Sequence, residues 1–315
     1  MAARSIHTIH ENQYQHFWDN EITPVLTVPE HEPVTIQTRD SAKEQIPPGS
    51  GIDAVLNLDF SRINPISGPI AIAGARPGDV LQVDILDIEP RDWGWSANIP
   101  GFGLLADEYP EPFVKNWQFD LERGTAQFRP GIEIPLDPFT GVIGVAPREQ
   151  GQHATLPPRR VGGNMDIRFM RAGTTLFLPV DVENALFSLG DAHAAQGDGE
   201  VCGTAIETAA SVTVSFSLHR DYTLAQPAYS LPGALVRRGT EQGYHATTGI
   251  GPDLMEAARD AVRGMIAYLG RTRDLPPLEA YTLCSVAGDL KISEIVDAPN
   301  WVVSFVLPLN IFVGS

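Results

Sequence analysis

The stretch Gly190-Asp191-Ala192-His193-Ala194-Ala195-Gln196-Gly197-Asp198-Gly199-Glu200 sets metal-binding and proton-moving side chains close together. A short apolar run, residues 185–189, precedes it and reads as a strand. Alternate side chains of a strand share a face, so a strand that continues points Asp191 and His193 the same way. A carboxylate beside an imidazole is a metal-binding pair or a general-base pair. Gly197-Asp198-Gly199 reads as a tight turn, because glycine tolerates backbone angles other residues avoid. Such a turn aims Asp198 and Glu200 back at the same spot. Residues 201–208 read as a returning strand that carries Glu207. An Asp beside a turn often only bonds its own backbone, but this unit gathers Asp191, Asp198, Glu200 and Glu207 with His193 and Gln196. No apolar core needs that.

Two chemistries fit. Carboxylates and one His around a divalent ion activate water or polarise a carbonyl, with Glu200 as the proton carrier. That set meets the needs of amide hydrolysis: an activated water, a charge acceptor for the oxyanion, and an acid for the leaving amine. The alternative uses Cys202 as nucleophile with His193 or Glu200 as base.

The elements that position these groups read mostly as strands. The chain has 315 residues, 43% of them hydrophobic, with 29 Gly and 26 Pro. Its apolar runs are mostly short, which favours many strands joined by tight turns. Residues 34–38, 70–73, 80–88, 128–134, 141–145, 174–180 and 209–218 read as strands. In residues 80–88 the alternation puts Gln82, Asp84 and Asp87 towards water. Asp40 ends the first of these strands. Asn164 and Asp166 alternate with Met165 after Gly162-Gly163 and so share a face. Trp93, Trp95 and Phe102 lie in Gly-rich loops that read as a pocket wall. The pattern then changes. Residues 253–269 carry one apolar helical stripe, with Asp253 as N-cap and Gly270 as stop. Residues 278–286 read as a second short helix, with Cys284 in the core, and residues 291–296 and 301–307 as closing strands. The chain divides at this change into a β-rich part, 1–222, carrying the site, and an α+β part, 223–315.

The net charge of −17 argues against nucleic acid and against anionic membranes. Two cysteines make neither a disulfide framework nor a zinc finger. No apolar stretch approaches the ~20 residues of a membrane span, and no secretory signal is visible. The expectation is a soluble, cytoplasmic protein.

Five blocks resemble the acetamidase/formamidase family. They are Asn64 to Ile85 (NPISGPIAIAGARPGDVLQVDI), GVIGVAP from Gly141, GGNMDI from Gly162 with Leu178-Pro179-Val180, GDAHAAQGDGEVCGTAIE from Gly190, and SVAGDLKISEIVDAP from Ser285. Thr38 to Ser41 matches the position of a family Asp. The resemblance implies a mainly β architecture with a smaller α+β portion towards the C-terminus, and an oligomer, dimer or higher. It also implies hydrolysis of a short amide to acid and ammonia, with a metal in at least some members. The expectation is therefore a metal-assisted amidase of formamide or acetamide type. Asp40, Asp166, Asp191 and His193 are the expected ligands of a divalent metal, zinc first, calcium or another second. Glu200 is the expected acid/base and Glu207 the second catalytic carboxylate, orienting substrate or ligands. Asn164 and Gln196 are the expected substrate-binding residues. The rival from another class is a non-enzymatic β-rich module that captures a small polar ligand.

Overall fold

The structure, a computed structural model, describes residues 7–130, 132–231, 243–277, 280, 284 and 288–312. Most strands belong to two large, mainly antiparallel sheets. The first runs in the order His7–Ile9, Val34–Gln37, Ala210–His219, Val80–Pro90, Thr175–Pro179, Ala228–Leu231, Tyr244–Gly251, Trp301–Pro308, Asp289–Glu294. Residues on both sides of position 222 thus supply strands to one sheet. The second has at its centre Phe113–Asp120, Trp93–Asn98, Glu207–Thr208, Phe187–His193, Phe139–Val145 and Gly162–Asn164. Strand Ile66–Ile72 also pairs with Phe187–His193.

One apolar core joins the two sheets. Leu81, Val83 and Phe216 from the first meet Ile143, Phe187 and Leu189 from the second. Phe187 and Phe216 touch edge to face across the interface, with centroids 5.0 Å apart. Each fully buried side chain of this kind contributes roughly 1.5–3 kcal/mol. Strands Ile66–Ile72, Phe139–Val145 and Phe187–His193 are buried at every residue, so both faces are covered. That matters for the site, because the last of them carries Asp191 and His193.

The mainly β architecture expected from the sequence is the one observed. The strand over 80–88 is found as Val80–Pro90, although Asp84 is not simply solvated. It accepts hydrogen bonds from Gln82 (2.9 Å) and from Thr175 on the neighbouring strand (2.7 Å). The single strand expected over 128–134 is instead split between two antiparallel strands, Thr125–Arg129 and Ile132–Pro135. Trp93 and Trp95 lie on a strand, not a loop. The returning strand expected over 201–208 is only Glu207–Thr208. Gly197, Gly199 and Gly203 let residues 197–204 turn instead.

Helix Leu254–Arg273 buries Ala257, Ala261, Met265 and Leu269, one residue per turn, against Val303, Phe305 and Leu307. It passes through Gly270 and ends one turn later at Asp274, which takes the left-handed conformation (φ 56°). Leu275-Pro276-Pro277 follows, and proline cannot continue a helix. The second expected helix, 278–286, lies outside the described residues except for Ala280 and Cys284; Cys284 is buried in the helix's core. Among the described residues no helix is long and apolar enough to cross a membrane.

The Asp253 side chain accepts from the Glu256 N–H at 2.9 Å and caps the helix as expected. Asp253→Ala should lower unfolding stability by ~1 kcal/mol, with activity retained. Urea denaturation followed by far-UV dichroism checks this.

Candidate active site

The register of the second sheet builds a row across four strands. Phe139 pairs with His193, His193 with Glu207, and Glu207 with Trp95. Paired residues project to the same face, so an aromatic wall, an imidazole, a carboxylate and an indole stand side by side. The strand does continue through Asp191 and His193, and the two side chains meet, with Asp191 Oδ1 3.2 Å from His193 Nε2. Glu207 Oε2 lies at the same distance from that nitrogen. Phe139 meets the imidazole edge-on at 5.0 Å.

His193 Nδ1 has a separate role. Gln196 Oε1 lies 2.8 Å from it, while Gln196 Nε2 donates to the Asp166 carbonyl at 2.8 Å. The amide orientation that satisfies both makes Nδ1–H the donor, which leaves Nε2 facing the two carboxylates. Gln196 was expected to contact substrate. Both ends of its amide are committed within the protein, so it orients the imidazole instead.

Asp166 enters from the loop after Gly162–Asn164, with φ 45°. Its Oδ1 is 3.9 Å from His193 Nδ1, and among the described residues its buried oxygens receive no N–H or hydroxyl donor; the side chain they meet is the carboxyl of Asp297. Gly141 makes this approach possible: a Cβ there would overlap Asp166 Oδ1 and press on Asp191 Oδ2. Asn164 donates to Asp297. Glu200, at the end of the glycine turn with φ 46°, is buried beside Asp166 and Asp297. The turn is docked by Gly199 N–H to Ser293 O (2.9 Å) and by Lys291 to Asp198 (3.6 Å).

Asp40 is buried but stands apart from the ligand-spaced groups. Its oxygens accept from the Trp95 indole (3.2 Å) and from the N–H groups of Ala42 (3.2 Å) and Glu44 (2.9 Å). It anchors the loop and the indole. The sequence reading did not single out Asn64, Ser41, Glu294 or Asp297. Asn64 donates to Asp191 Oδ2 (3.3 Å) and Ser41 to Glu207 Oε2 (2.7 Å). Glu294 Oε1 accepts from the N–H groups of Val296 and Asp297 and so fixes the turn that presents Asp297. An acid pair at a strand end, Glu294 and Asp297, was the available signal.

The electrostatics follow from burial. Desolvation raises Asp166, Glu200 and Asp297 well above the ordinary carboxylate range, and their mutual repulsion adds to it. Burial raises Asp191 to about 6 against the pull of His193. Burial raises Glu294 to about 7 although two N–H groups oppose it. Burial alone would lower His193, but Glu207 and Asp191 outweigh it and hold its pKa well above 6.5. Burial also works against ionised Glu207, yet His193, the Ser41 hydroxyl and the Ala205 N–H bring its pKa below the ordinary value.

Among the described residues three sets of ligand atoms lie within 4.8 Å of one another: Asp166, Asp191 and His193; His193, Glu200 and Glu207; Asp166, Glu200 and Asp297. The mixed nitrogen and oxygen donors, and Asp166 oxygens that receive no N–H or hydroxyl donor there, suit a divalent cation. The space beside them is a cavity of about 40 Å³, room for about three waters at ~10–15 Å³ each.

A two-sheet β fold with a buried histidine–carboxylate centre opening on a small cavity has the features of a hydrolytic enzyme. The profile of the Acetamidase/Formamidase family matches residues 4–155 and 149–313, and the chain belongs to that family. The resemblance carried by the sequence motifs therefore holds along the chain. The crystal structure of an acetamidase from Bacillus halodurans superposes with a TM-score of 0.87 at 32% identity, covering 97% of this chain and 98% of that one. A formamidase of Methylophilus methylotrophus is 26% identical over 96% of this chain and 90% of its own. A gamma lactamase from Delftia acidovorans superposes with a TM-score of 0.69 at 26% identity, over 98% and 94% of the two chains.

The raised carboxylates give a pH prediction with a definite sign. The folded chain holds protons that the unfolded chain has released, so stability falls as pH rises from the ordinary carboxylate values, 3.8 to 4.5, through about 6 for Asp191 and about 7 for Glu294. His193, raised above 6.5, adds stability that is also lost at higher pH; Glu207, lowered, opposes only below 4.5. Chelator-treated protein should melt at higher temperature at pH 5 than at pH 8. A calorimetric series showing the reverse would mean these groups ionise freely in the fold.

Proposed function

We propose that this protein hydrolyses a short, uncharged aliphatic amide, of formamide or acetamide type, to a carboxylate and ammonia, with the help of a divalent metal. The observation that carries the reading is the buried histidine–carboxylate centre beside a cavity the size of a small amide. Family membership and relatives named acetamidase and formamidase support amide hydrolysis.

Asp191, His193 and Asp166 are the residues we assign to the metal, with Glu207 and Glu200 within reach of the same imidazole. Zinc is the cation we favour, because a nitrogen ligand stands among the oxygens. Bound there, the metal would supply Lewis acidity towards the carbonyl and make a water acidic enough to attack near neutral pH. Asp40 takes no part in holding it.

The side chains divide the remaining work. Gln196 holds the imidazole so that Nε2 faces Asp191 and Glu207. Glu207 stays ionised and keeps His193 in place. Burial and the neighbouring Asp166 favour the protonated form of Glu200, and we assign it to pass a proton to the amide nitrogen as the C–N bond breaks. Water oxygen bonds to the carbonyl carbon as the C–N bond breaks, nitrogen leaves with the proton from Glu200, and the acyl group leaves as carboxylate; of the two protons the water loses, one restores Glu200 and the other leaves with ammonia as ammonium. Asn164 is engaged by Asp297, and we assign it to fixing that acid and lining the cavity rather than to binding substrate alone. So many buried acids repel an anionic substrate.

Cys202 is poorly placed as a nucleophile. Burial and Glu200 raise its thiol pKa, and Sγ faces Ala97 O at 3.5 Å. A nucleophilic thiol needs a lowered pKa. We also propose assembly into a homo-oligomer, on the resemblance alone; sedimentation velocity tests it.

Purified protein should contain near-stoichiometric divalent metal, and His193→Ala should lose most of it by elemental analysis. Ammonia release from acetamide should fall on the order of 10²-fold or more in Glu200→Gln, with little change in melting temperature. Full activity in a metal-free enzyme would sink the metal reading. Acetamide should be turned over and succinamate should not; a preference for succinamate would refute the charge argument.

A further inference from the structure

The cavity lining is of two kinds. Carboxylates line it together with Ala42, Leu58, Phe60, Ile63, Trp95 and Phe102. The oxygen and nitrogen of an amide need hydrogen-bonding partners, whereas its acyl carbons gain only from apolar contact. The acyl chain therefore belongs against the apolar residues.

Within that wall Phe60 and Phe102 meet edge to face, centroids 6.3 Å apart at 69°. They are held very differently. The Phe102 ring lies directly on Gly203, where a Cβ would overlap two ring carbons, and Gly203 itself sits at φ +82°. Phe102 N–H donates to Ile99 O at 3.0 Å, closing its turn. Its ring is thus backed by main chain. Phe60 begins a single 3-10 turn, Phe60–Arg62, and is 47% exposed. Its ring has solvent to swing into. Ala42, fully buried, is a small residue at the cavity wall, and the Ala42 N–H is tied to Asp40. Trp93, expected as part of the wall, packs behind Trp95 and does not line the cavity.

We propose that Phe102 sets the length of acyl chain the site accepts, and that Phe60 sets the ease with which an amide enters. The proposal rests on the amidase reading above and adds to it which residues decide between amides. The Phe102 ring rests on main chain at Gly203 and so yields less to an extra methylene than the Phe60 ring does. A ring at the mouth can yield, so it acts on all amides alike. In an apolar pocket one methylene that fits or fails changes kcat/KM by about 10–200-fold.

The experiment measures kcat and KM for formamide, acetamide, propionamide and butyramide with the metal-loaded wild type and three variants. Phe102→Ala should raise the butyramide-to-acetamide ratio of kcat/KM by about tenfold or more. Ala42→Val, which fills the same wall, should move that ratio the opposite way, and keeps the test decisive if Phe102→Ala folds poorly. Phe60→Ala should shift KM for all four amides by a similar factor and leave the ratios in place. Ratios unchanged in both Phe102→Ala and Ala42→Val would overturn the proposal. So would a ratio change in Phe60→Ala as large as that in Phe102→Ala. A wild type inert on all four amides would instead remove the amidase reading, and this inference with it.

Discussion

Five buried carboxylates, Asp166, Asp191, Glu200, Glu207 and Asp297, share one imidazole, and the site's arrangement answers that imbalance. A buried charge without partners is costly. The fold answers with neutral donors assigned one by one: Asn64 to Asp191, Ser41 to Glu207, Asn164 to Asp297. Asp166 receives no such neutral donor among the described residues; it meets another acid, Asp297, and two of the three ligand-spaced groups found there include it. An acid met by further acids and one imidazole is well placed to meet a cation. Asp191 and Glu207 are held on buried strands, and Asp166, Glu200 and Asp297 reach them from turns.

The site is also a product of distant chain segments. Glu200 lies on a glycine turn that bridges to the edge strand Asp289–Glu294, Gly199 pairing with Glu294 and donating its N–H to Ser293 O. That strand ends in Glu294, whose carboxylate ties the N–H groups that present Asp297. Residues near the C-terminus therefore complete a centre whose other members come from positions 166 to 207. The Lys291–Asp198 pair is about one-third exposed on each side and adds little energy by itself. The backbone pairing does the positioning.

Local pattern made part of this legible. Alternation revealed the Val80–Pro90 and Ala210–His219 strands, and the period of 3.6 revealed the long helix with its Asp253 cap. Asp191 and His193 were legible because strand spacing alone puts them on one face. Asp40 could not be resolved locally, since an acid at a strand end looks the same whether it meets a cation or an indole, and its Trp95 partner is fixed by long-range register. The surroundings of Gln196 were hidden for a similar reason, because its bond to the Asp166 carbonyl reaches a loop two strands away in the sheet order. Asn64 and Asp297 could not be placed from sequence, since cross-strand register is not a local property. Gly270 has the usual look of a helix stop, but the proline pair after Asp274 ends the helix.

Glu200 and Glu207 show how one centre can hold an acid and a base of the same residue type. Both are fully buried, so desolvation pushes each towards the neutral form. Glu207 receives a hydroxyl, an N–H and a cationic imidazole, each of which favours its ionised form, and its pKa falls. Glu200 faces Asp166 and Glu207, like charges that add to desolvation, with only His193 in opposition, and its pKa rises. Environments that push two carboxyls apart in this way separate proton donor from fixed anion. The difference originates in the backbone. Glu207 sits in a strand pair where Ser41 and Ala205 can reach it, whereas Glu200 hangs from a left-handed turn that delivers it among other acids. Assigning Glu200 as the proton donor and Glu207 as the anion that holds His193 thus follows from register and turn geometry.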